Sequence, residues 1–141
     1  MCRAWCDVDD DCAGDGGVCV LDFTVDGEPL EGARVCSFSC NPRSRSGCPE
    51  GSACHVLVRE DQGGVGYLSD CTASVGDGFA GASCDRDVGP FCAAGFACID
   101  GVCRAWCEDP AGRGAGCSNY EVCTAFDPPA QVGDVEWGVC E

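Results

Sequence analysis

The sequence predicts a small, disulfide-rich fold of tandem β-hairpin repeats, with little regular secondary structure and no sizeable core. Three observations predict it. The chain has 17 cysteines among 141 residues, about 12%, a density typical of disulfide scaffolds. The cysteines recur with similar spacing, and the last gap of each repeat has the pattern of two strands around a turn. Each repeat has roughly 20–36 residues, too few to bury a stabilising core without crosslinks.

The repeat is marked by the string Cys-Arg-Ala-Trp-Cys, which occurs at Cys2–Cys6 and again at Cys103–Cys107. Counting from these strings gives four units of four cysteines. The first gaps have 5, 7, 7 and 9 residues, the second 6, 5, 5 and 5, and the third 16, 16, 4 and 16. Such self-similarity indicates a repeat architecture. The units use Cys6, Cys12, Cys19 and Cys36; Cys40, Cys48, Cys54 and Cys71; Cys84, Cys92, Cys98 and Cys103; and Cys107, Cys117, Cys123 and Cys140.

Cys2 is the seventeenth cysteine and falls outside the four units. It stands before unit one as Cys36 stands before unit two and Cys103 before unit four. An odd cysteine in a disulfide framework indicates a partner in another segment or a free thiol. We therefore expect Cys2 to be unpaired within this chain, as the last cysteine of a preceding repeat in a longer protein. The alternative is that Cys2 is the lipidated first residue of a bacterial lipoprotein.

The third gap of each unit predicts a β-hairpin. In unit three it is only Ile99–Val102, with Asp-Gly at its centre, and Asp-Gly between β-forming residues is the strongest short hairpin signal. In the other units the predicted turns lie within Asp26–Leu30, Arg59–Gly64 and Asp127–Ala130. A hairpin can be long or short without moving its base, so gaps of different length occupy one structural position.

Four cysteines allow three pairings in each unit. We favour first to third and second to fourth, because the hairpin places its base cysteines side by side and this interleaved pattern fixes both to the preceding loop. A bridge from third to fourth across the base is the alternative. Each bridge stabilises the unit by about 2–4 kcal/mol. The favoured pairs are Cys6–Cys19, Cys12–Cys36, Cys40–Cys54, Cys48–Cys71, Cys84–Cys98, Cys92–Cys103, Cys107–Cys123 and Cys117–Cys140.

The units come in pairs that are joined by short connectors at Ser37–Ser39 and Arg104–Trp106. Between the pairs, Thr72–Ser83 is rich in Gly, Ala and Ser, which is typical of a flexible linker. We expect two compact halves with some freedom between them. The predicted boundaries are 1–39 for repeat one with a remnant of a preceding repeat, 40–71 for repeat two, 72–83 for the linker, 84–103 for repeat three and 104–141 for repeat four.

The net charge is −16, from 24 acidic residues against 8 basic ones. This charge argues against partners such as nucleic acid, whose phosphates it repels, and anionic lipid. So many disulfides require an oxidising compartment, which predicts an extracellular or cell-surface protein. No apolar run is long enough for a transmembrane segment, and no signal peptide follows Met1, so we expect the leader to lie upstream or to have been removed. The absence of lysine indicates a GC-rich bacterial genome.

Asp7, Asp9, Asp10 and Asp11 form an acidic cluster with Asp15. Closely spaced aspartates supply the oxygen ligands that calcium takes, so the first four are the candidate metal ligands. The run lacks the glutamate-terminated spacing of an EF-hand, and a solvated turn in an acidic protein explains it equally. No other cofactor is expected, because zinc and iron–sulfur sites usually show C-x2-C pairs and the sequence has none.

His55 is the only histidine and directly follows Cys54. A Cys–His nucleophile needs a free thiol, whereas we expect Cys54 to be oxidised. There is no second histidine to complete a zinc site. We interpret His55 as a surface or cross-strand residue and expect no catalytic residues.

Trp5, Phe38 and Trp106 fall in the three-residue connectors that precede or join units. We expect each ring to cover neighbouring disulfides in a small inter-repeat core, in preference to forming an exposed binding strip. Trp137 lies on a hairpin and is the better candidate for contact with a partner, because aromatic side chains are enriched in binding hot spots.

The Cys-x5–9-Cys-x5–6-Cys-hairpin-Cys units, with Cys-x2-Gly-x2-Cys loops at Cys48–Cys54 and Cys92–Cys98, resemble small repeats of extracellular proteins. These include EGF-like and Dickkopf-type modules and tandem repeats in secreted proteins of predatory soil bacteria. The resemblance covers nearly the whole chain. It departs from true EGF domains, which have six cysteines and an internal C-x-C. It implies an interaction or spacer role without naming a ligand.

The sequence leaves three functions open. The first is a non-catalytic extracellular or cell-surface module for interaction with an unknown protein or glycan, for adhesion or for spacing. The second is a protease inhibitor that presents the hairpin turns, with Arg59 as a specificity residue. The third is a calcium-stabilised structural repeat.

Overall fold

The computed structural model describes residues 3–12, 18–26, 28–61, 64–111 and 114–141, so the predictions for Cys2 and Asp15 lie outside it. Within these ranges the secondary structure is eight strands and one three-residue 3-10 turn, Asp9–Asp11. No helix there is long and apolar enough to cross a membrane. The strands are β1 (Cys19–Val25), β2 (Glu28–Cys36), β3 (Ala53–Asp61), β4 (Gly64–Thr72), β5 (Phe96–Ile99), β6 (Val102–Glu108), β7 (Cys123–Val132) and β8 (Val135–Cys140). The predicted class of tandem disulfide-rich hairpins is confirmed.

The strands form three antiparallel sheets. β1 pairs with β2 and β3 with β4, while the last four strands form one sheet in the order β5-β6-β8-β7. The pentapeptide string explains the joined sheet. β6 contains the second copy, and its Trp106 pairs with Val139 of β8. The first copy does the same on a smaller scale, because Trp5 forms an isolated bridge with Val35 of β2. The described residues of each string therefore lie along the last strand of the hairpin that follows it.

The third and fourth cysteines of every unit are direct partners across the base of its hairpin. The disulfides do not join them to each other. Each base cysteine is bonded to a cysteine of the preceding loop, with Cα atoms 5.4–5.9 Å apart, as disulfide geometry requires. The structure thus has the interleaved pattern that we favoured. The bridges are Cys6–Cys19, Cys12–Cys36, Cys40–Cys54, Cys48–Cys71, Cys84–Cys98, Cys92–Cys103, Cys107–Cys123 and Cys117–Cys140.

The turn of the last hairpin differs from the prediction. We placed it within Asp127–Ala130, but β7 continues through this stretch to Val132, and the turn is at Gly133–Asp134. The pairing of β7 with β8 is interrupted between Ala125 and Ala130. The two prolines in between have no N–H to donate to the ladder, so the strand bulges there and then resumes.

The hydrophobic core lies between the β3–β4 hairpin and the four-stranded sheet. Its buried members are Ala97, Trp106, Ala130, Trp137 and Val139, and Val56, Tyr67, Ile99, Phe126 and Val132 pack against them. Unit two therefore packs on the second half of the chain, contrary to the expectation of two separate halves. The Tyr67 hydroxyl reinforces this contact by donating to the carbonyl oxygen of Pro128 at 2.8 Å. The physical reason is that both surfaces carry aromatic side chains that neither covers alone.

The predicted flexible linker, 72–83, lies against unit three. The N–H of Gly76 donates to the carbonyl of Cys92 at 3.0 Å, and the N–H of Gly81 donates to that of Cys103 at 2.9 Å. A side chain at Gly78 would place its Cβ 2.9 Å from the sulfur of Cys103, closer than real Cβ contacts. The small residues of this segment therefore permit close packing of the backbone on a disulfide, which composition alone does not distinguish from flexibility.

Candidate functional site

A groove of about 680 Å³ separates the unit-two hairpin from units three and four. One wall is β3 from His55 to Val58, with Tyr67 and Thr72 of β4 beside it and Ser74 just beyond. The opposite wall is formed by Asp85, Arg86, Phe91, Cys92, Ala97, Cys98 and Ile99 of unit three and by Trp106, Phe126, Asp127 and Ala130 of unit four. The walls are mostly apolar, with a few polar groups, which is the usual character of ligand sites.

Three side chains of this groove hold a buried polar atom that has no hydrogen-bond partner among the described residues. The atoms are Trp106 Nε1, His55 Nε2 and Thr72 Oγ1. The Trp106 side chain is the most enclosed, since the residue is only 4% exposed. Buried polar groups are normally hydrogen-bonded, and each exception needs an explanation. A bound group that supplies hydrogen-bonding atoms is such an explanation.

His55 meets Trp106 edge to face, with ring centroids 6.5 Å apart. Burial lowers the pKa of His55, because the low-dielectric surroundings disfavour the charged imidazolium. The side chain is therefore a neutral imidazole near pH 7. The prediction of a cross-strand residue fits its place opposite Asp70 in the β3–β4 ladder, but the sequence did not reveal its contact with Trp106.

The aromatic rings of the groove contact one another and leave little open ring surface. Trp106 packs against Trp137 at 6.5 Å, with the rings nearly perpendicular, and against Phe126 at 6.0 Å. Trp137 is 3% exposed, so in this structure its side chain packs in the core, and its contact with a partner stays a prediction. Its place on the hairpin faces the β3–β4 hairpin of the same chain, which could not be inferred from unit four alone.

The two other connector aromatics differ from Trp106. Trp5 is 63% exposed, although it occupies the same place in the same string. Phe38 is half-buried beneath the guanidinium of Arg3, whose central carbon lies 4.7 Å from the ring centroid. The expectation of a ring that covers an inter-repeat core therefore holds for Trp106, on which the β3–β4 hairpin packs, and not for the exposed Trp5.

The mouth of the groove carries two exposed carboxylates, Asp85 and Asp127. Asp85 Oδ1 accepts the N–H groups of Val88, at 3.1 Å, and Asp87, at 2.8 Å. These bonds hold the pKa of Asp85 below its usual range. The nearby Arg86 donates from Nη2 to the carbonyl oxygen of Cys98 at 3.1 Å. The charge presented at the mouth is therefore mainly negative.

The acidic cluster of unit one acts within its own loop. Asp11 Oδ2 accepts the N–H groups of Asp7 and Val8, at 2.9 and 3.2 Å, and these bonds lower the pKa of Asp11. Asp9 Oδ1 accepts the N–H of Cys19 at 2.8 Å. Among the described residues, Asp7, Asp9, Asp10 and Asp11 are absent from the groups whose ligand atoms converge enough to hold a metal. The calcium hypothesis gains no support from this arrangement.

The groups that do converge consist only of cysteines, and all sixteen described cysteines lie in disulfides. Sulfur in a disulfide is neither a thiolate nucleophile nor a thiolate ligand. Cys54, which precedes His55, is bonded to Cys40. The described cysteines therefore build the scaffold.

Arg59 lies within β3 opposite Gly66, inside the hairpin ladder. Its Nη1 lies 3.6 Å from Oδ2 of Asp9, and its side chain is 25% exposed. An inhibitor presents its specificity residue outward on a loop, whereas Arg59 joins the hairpin of unit two to the acidic loop of unit one. The geometry does not favour the inhibitor hypothesis.

A second hollow of about 530 Å³ lies between the loop of unit two and the turn of the β7–β8 hairpin, with Asn41, Ser46 and Asp134 in its wall. Its lining includes none of the buried polar atoms that lack a partner within the described ranges. The larger groove is therefore the candidate binding site.

Comparisons of the chain with known protein families, with curated proteins and with solved structures find no match. The class that the fold defines is a small disulfide-rich module of tandem β-hairpins held by eight bridges. The resemblance to EGF-like and Dickkopf-type modules and the bacterial origin remain expectations.

Proposed function

We propose that this chain is a non-catalytic interaction module of an extracellular or cell-surface protein, and that it binds its partner in the groove between unit two and units three and four. The eight disulfides support the location, because such bonds persist in oxidising compartments and are rare in the cytosol. The proposal extends to membership among the tandem cysteine-rich repeats of secreted bacterial proteins, which the fourfold spacing supports.

The observation that carries the binding site is the set of three buried, unpartnered polar atoms on Trp106, His55 and Thr72 in one mostly apolar groove. An apolar concavity with a few convergent polar groups is the default binding-site hypothesis for a structure of this kind. The non-catalytic role is supported by two features of the described residues: their cysteines are oxidised, and Nε2 of His55, the one histidine of the chain, is buried without a hydrogen-bond partner among them.

The test is binding of the oxidised protein to protein and glycan arrays, repeated with two tryptophan variants. Trp106→Phe alters the groove, and Trp5→Phe makes the same change at the equivalent but exposed position. We expect Trp106→Phe to weaken whatever binding the native protein shows and Trp5→Phe to leave it unchanged. Binding that depends on Trp5 and not on Trp106 would move the site to unit one and contradict the proposal.

A further inference from the structure

We propose that the ligand of the groove is an extended, basic segment of a partner protein, which adds as a strand to the outer edge of β3. This inference rests on the proposed function and specifies the chemistry of its partner. It follows from three features of the groove: the free edge, the polar atoms and the charge at the mouth.

The free edge belongs to β3. This strand pairs with β4 on one side only, and four successive residues, His55–Val58, line the groove. Successive side chains point to opposite faces of a sheet, so a groove lined by four in a row runs along the backbone edge. In the part of the chain that the structure describes, the backbone of these four residues forms no hydrogen bond outside the ladder with β4. Such an edge is a template for strand addition.

The facing strand, β5, is less available. Its Cys98 carbonyl accepts from Arg86 at 3.1 Å, and the N–H of Phe96 donates to the carbonyl of Ala93 at 3.1 Å. Backbone groups that are already bonded within unit three do not pair with a ligand. An added strand therefore pairs with β3 and lies beside β5.

The polar atoms favour a peptide over a sugar. The indole N–H of Trp106 can only donate, so the ligand must supply an acceptor, as a peptide carbonyl does. Sugar sites usually offer an open aromatic face for stacking, whereas the Trp106 ring is covered on its sides by Trp137 and Phe126. A peptide carbonyl needs only the N–H edge.

The charge at the mouth favours a basic segment. Asp85 and Asp127 are exposed there, and these two carboxylates outnumber the one guanidinium of the lining, that of Arg86. The net charge of −16 adds a long-range field that attracts cationic ligands and raises their association rate. A segment that alternates apolar and basic residues would place apolar side chains in the groove and cations toward these carboxylates.

The first test uses blocked octapeptides and isothermal titration calorimetry. The parent probe alternates valine with arginine, and a control alternates valine with glutamate. Two further probes carry N-methyl groups on all valines or on all arginines. Because alternate N–H groups of a strand point to opposite edges, strand addition predicts that one N-methylated probe binds at least about tenfold more weakly and that the other binds like the parent. Equal binding of both N-methylated probes, or no binding of the parent, overturns the inference.

The second test uses variants of the protein with the parent probe. Asp85→Asn combined with Asp127→Asn should weaken binding several-fold at low ionic strength, and the difference should shrink in about 0.5 M salt. The Asp85→Asn change keeps the turn, since Asn41 makes the equivalent bonds in unit two, accepting from the N–H groups of Arg43 and Ser44. Asp26→Asn combined with Asp134→Asn, both outside the groove, is the control that removes the same two negative charges.

A third arm separates this inference from the proposed function. Maltohexaose and chitohexaose are titrated into the native protein and into Trp106→Phe. Binding of an oligosaccharide that is lost in Trp106→Phe, without binding of the parent peptide, overturns strand addition and leaves the groove as the binding site. If array ligands bind the native protein and Trp106→Phe equally, the proposed function fails together with the inference.

Discussion

Arg3 and Arg104 occupy the same place in the two copies of Cys-Arg-Ala-Trp-Cys, yet they have different partners. Arg3 makes a bidentate pair with Asp70, with Nη1–Oδ1 at 2.7 Å and Nη2–Oδ2 at 2.9 Å. The Asp70 side chain is only 6% exposed, and its Oδ1 also accepts the N–H of Phe38 at 2.9 Å. Arg104 instead lies 3.7 Å from the half-exposed carboxylate of Glu141. The unit that directly follows each copy has a valine before its last cysteine, Val35 in unit one and Val139 in unit four. Arg3 differs because it reaches one unit further, to Asp70 of unit two.

Replacing Arg3 should therefore cost far more stability than replacing Arg104. We expect Arg3→Ala to lower the free energy of unfolding by about 2–4 kcal/mol, because it leaves a buried carboxylate without its cation. Arg104→Ala should cost less than about 1 kcal/mol, as is usual for exposed pairs. Guanidinium chloride unfolding with the disulfides intact measures both. Similar losses of unfolding free energy in the two variants would show that the Arg3–Asp70 ion pair does not stabilise the contact between units one and two.

His55 gives a second prediction at the residue scale. Burial lowers the pKa of His55 in the folded state, so between that pKa and the unfolded value, about 6.5, the unfolded chain binds more protons. Stability is then fully present above pH 6.5 and falls as the pH drops below it. Unfolding free energies at pH 7.5 and 5.5 measure this slope. His55→Gln removes the only histidine and should remove most of the slope; a slope that persists in the variant would assign it to other groups.

At the scale of elements, local sequence predicts the turn of a hairpin but not whether a connecting segment packs against its neighbours. The Asp-Gly turn of unit three forms as predicted, with Asp100 and Gly101 both at positive φ. The segment 72–83 shows the limit of composition, because its backbone is hydrogen-bonded to unit three and the carbonyl oxygen of Phe91 occupies the space that a Cβ at Gly76 would need. The composition of a glycine-rich segment predicts flexibility, and only the structure shows whether the segment packs against another part of the chain.

Gly76→Ala should accordingly destabilise the protein, because the new methyl group overlaps a backbone oxygen that cannot move aside. The expected loss is about 1–3 kcal/mol, as for other overpacked sites. Gly66→Ala is the matched control, since no atom lies within 4 Å of a Cβ built there. The melting temperatures of both variants measure this difference. If alanine is tolerated at both positions, the segment 72–83 does not pack closely on unit three and is a flexible linker, as its composition predicts.

At the scale of the whole molecule, stability is divided between disulfides and one small core. Among the described residues, three buried clusters consist of cysteines, and the residues packed beside them are alanine, phenylalanine and further cysteines. The remaining cluster, around Trp106 and Trp137, joins unit two to the second half. The disulfides hold each unit, and the core determines how the units pack against each other.

The connectivity can be tested in unit three. Trypsin cleaves after Arg86 and Arg104, and chymotrypsin cleaves after Phe96, so together they separate Cys84, Cys92 and the Cys98–Cys103 pair. With the interleaved pattern, the fragments that contain these cysteines stay linked until reduction. Release of a fragment 97–104 with its own internal bridge, seen by mass spectrometry under non-reducing conditions, would establish the third-to-fourth alternative.

The sequence by itself determined the repeat, the hairpins and the disulfide-rich class, because cysteine spacing and Asp-Gly turns act over short distances along the chain. Only the tertiary structure decided that Trp106 and Trp137 are buried while Trp5 is exposed, that Arg3 pairs with Asp70 and that a groove forms beside β3. These features depend on which units pack together, and residues far apart in sequence meet there by burial and charge. The pentapeptide is identical in both copies, and its surroundings give each copy a different role.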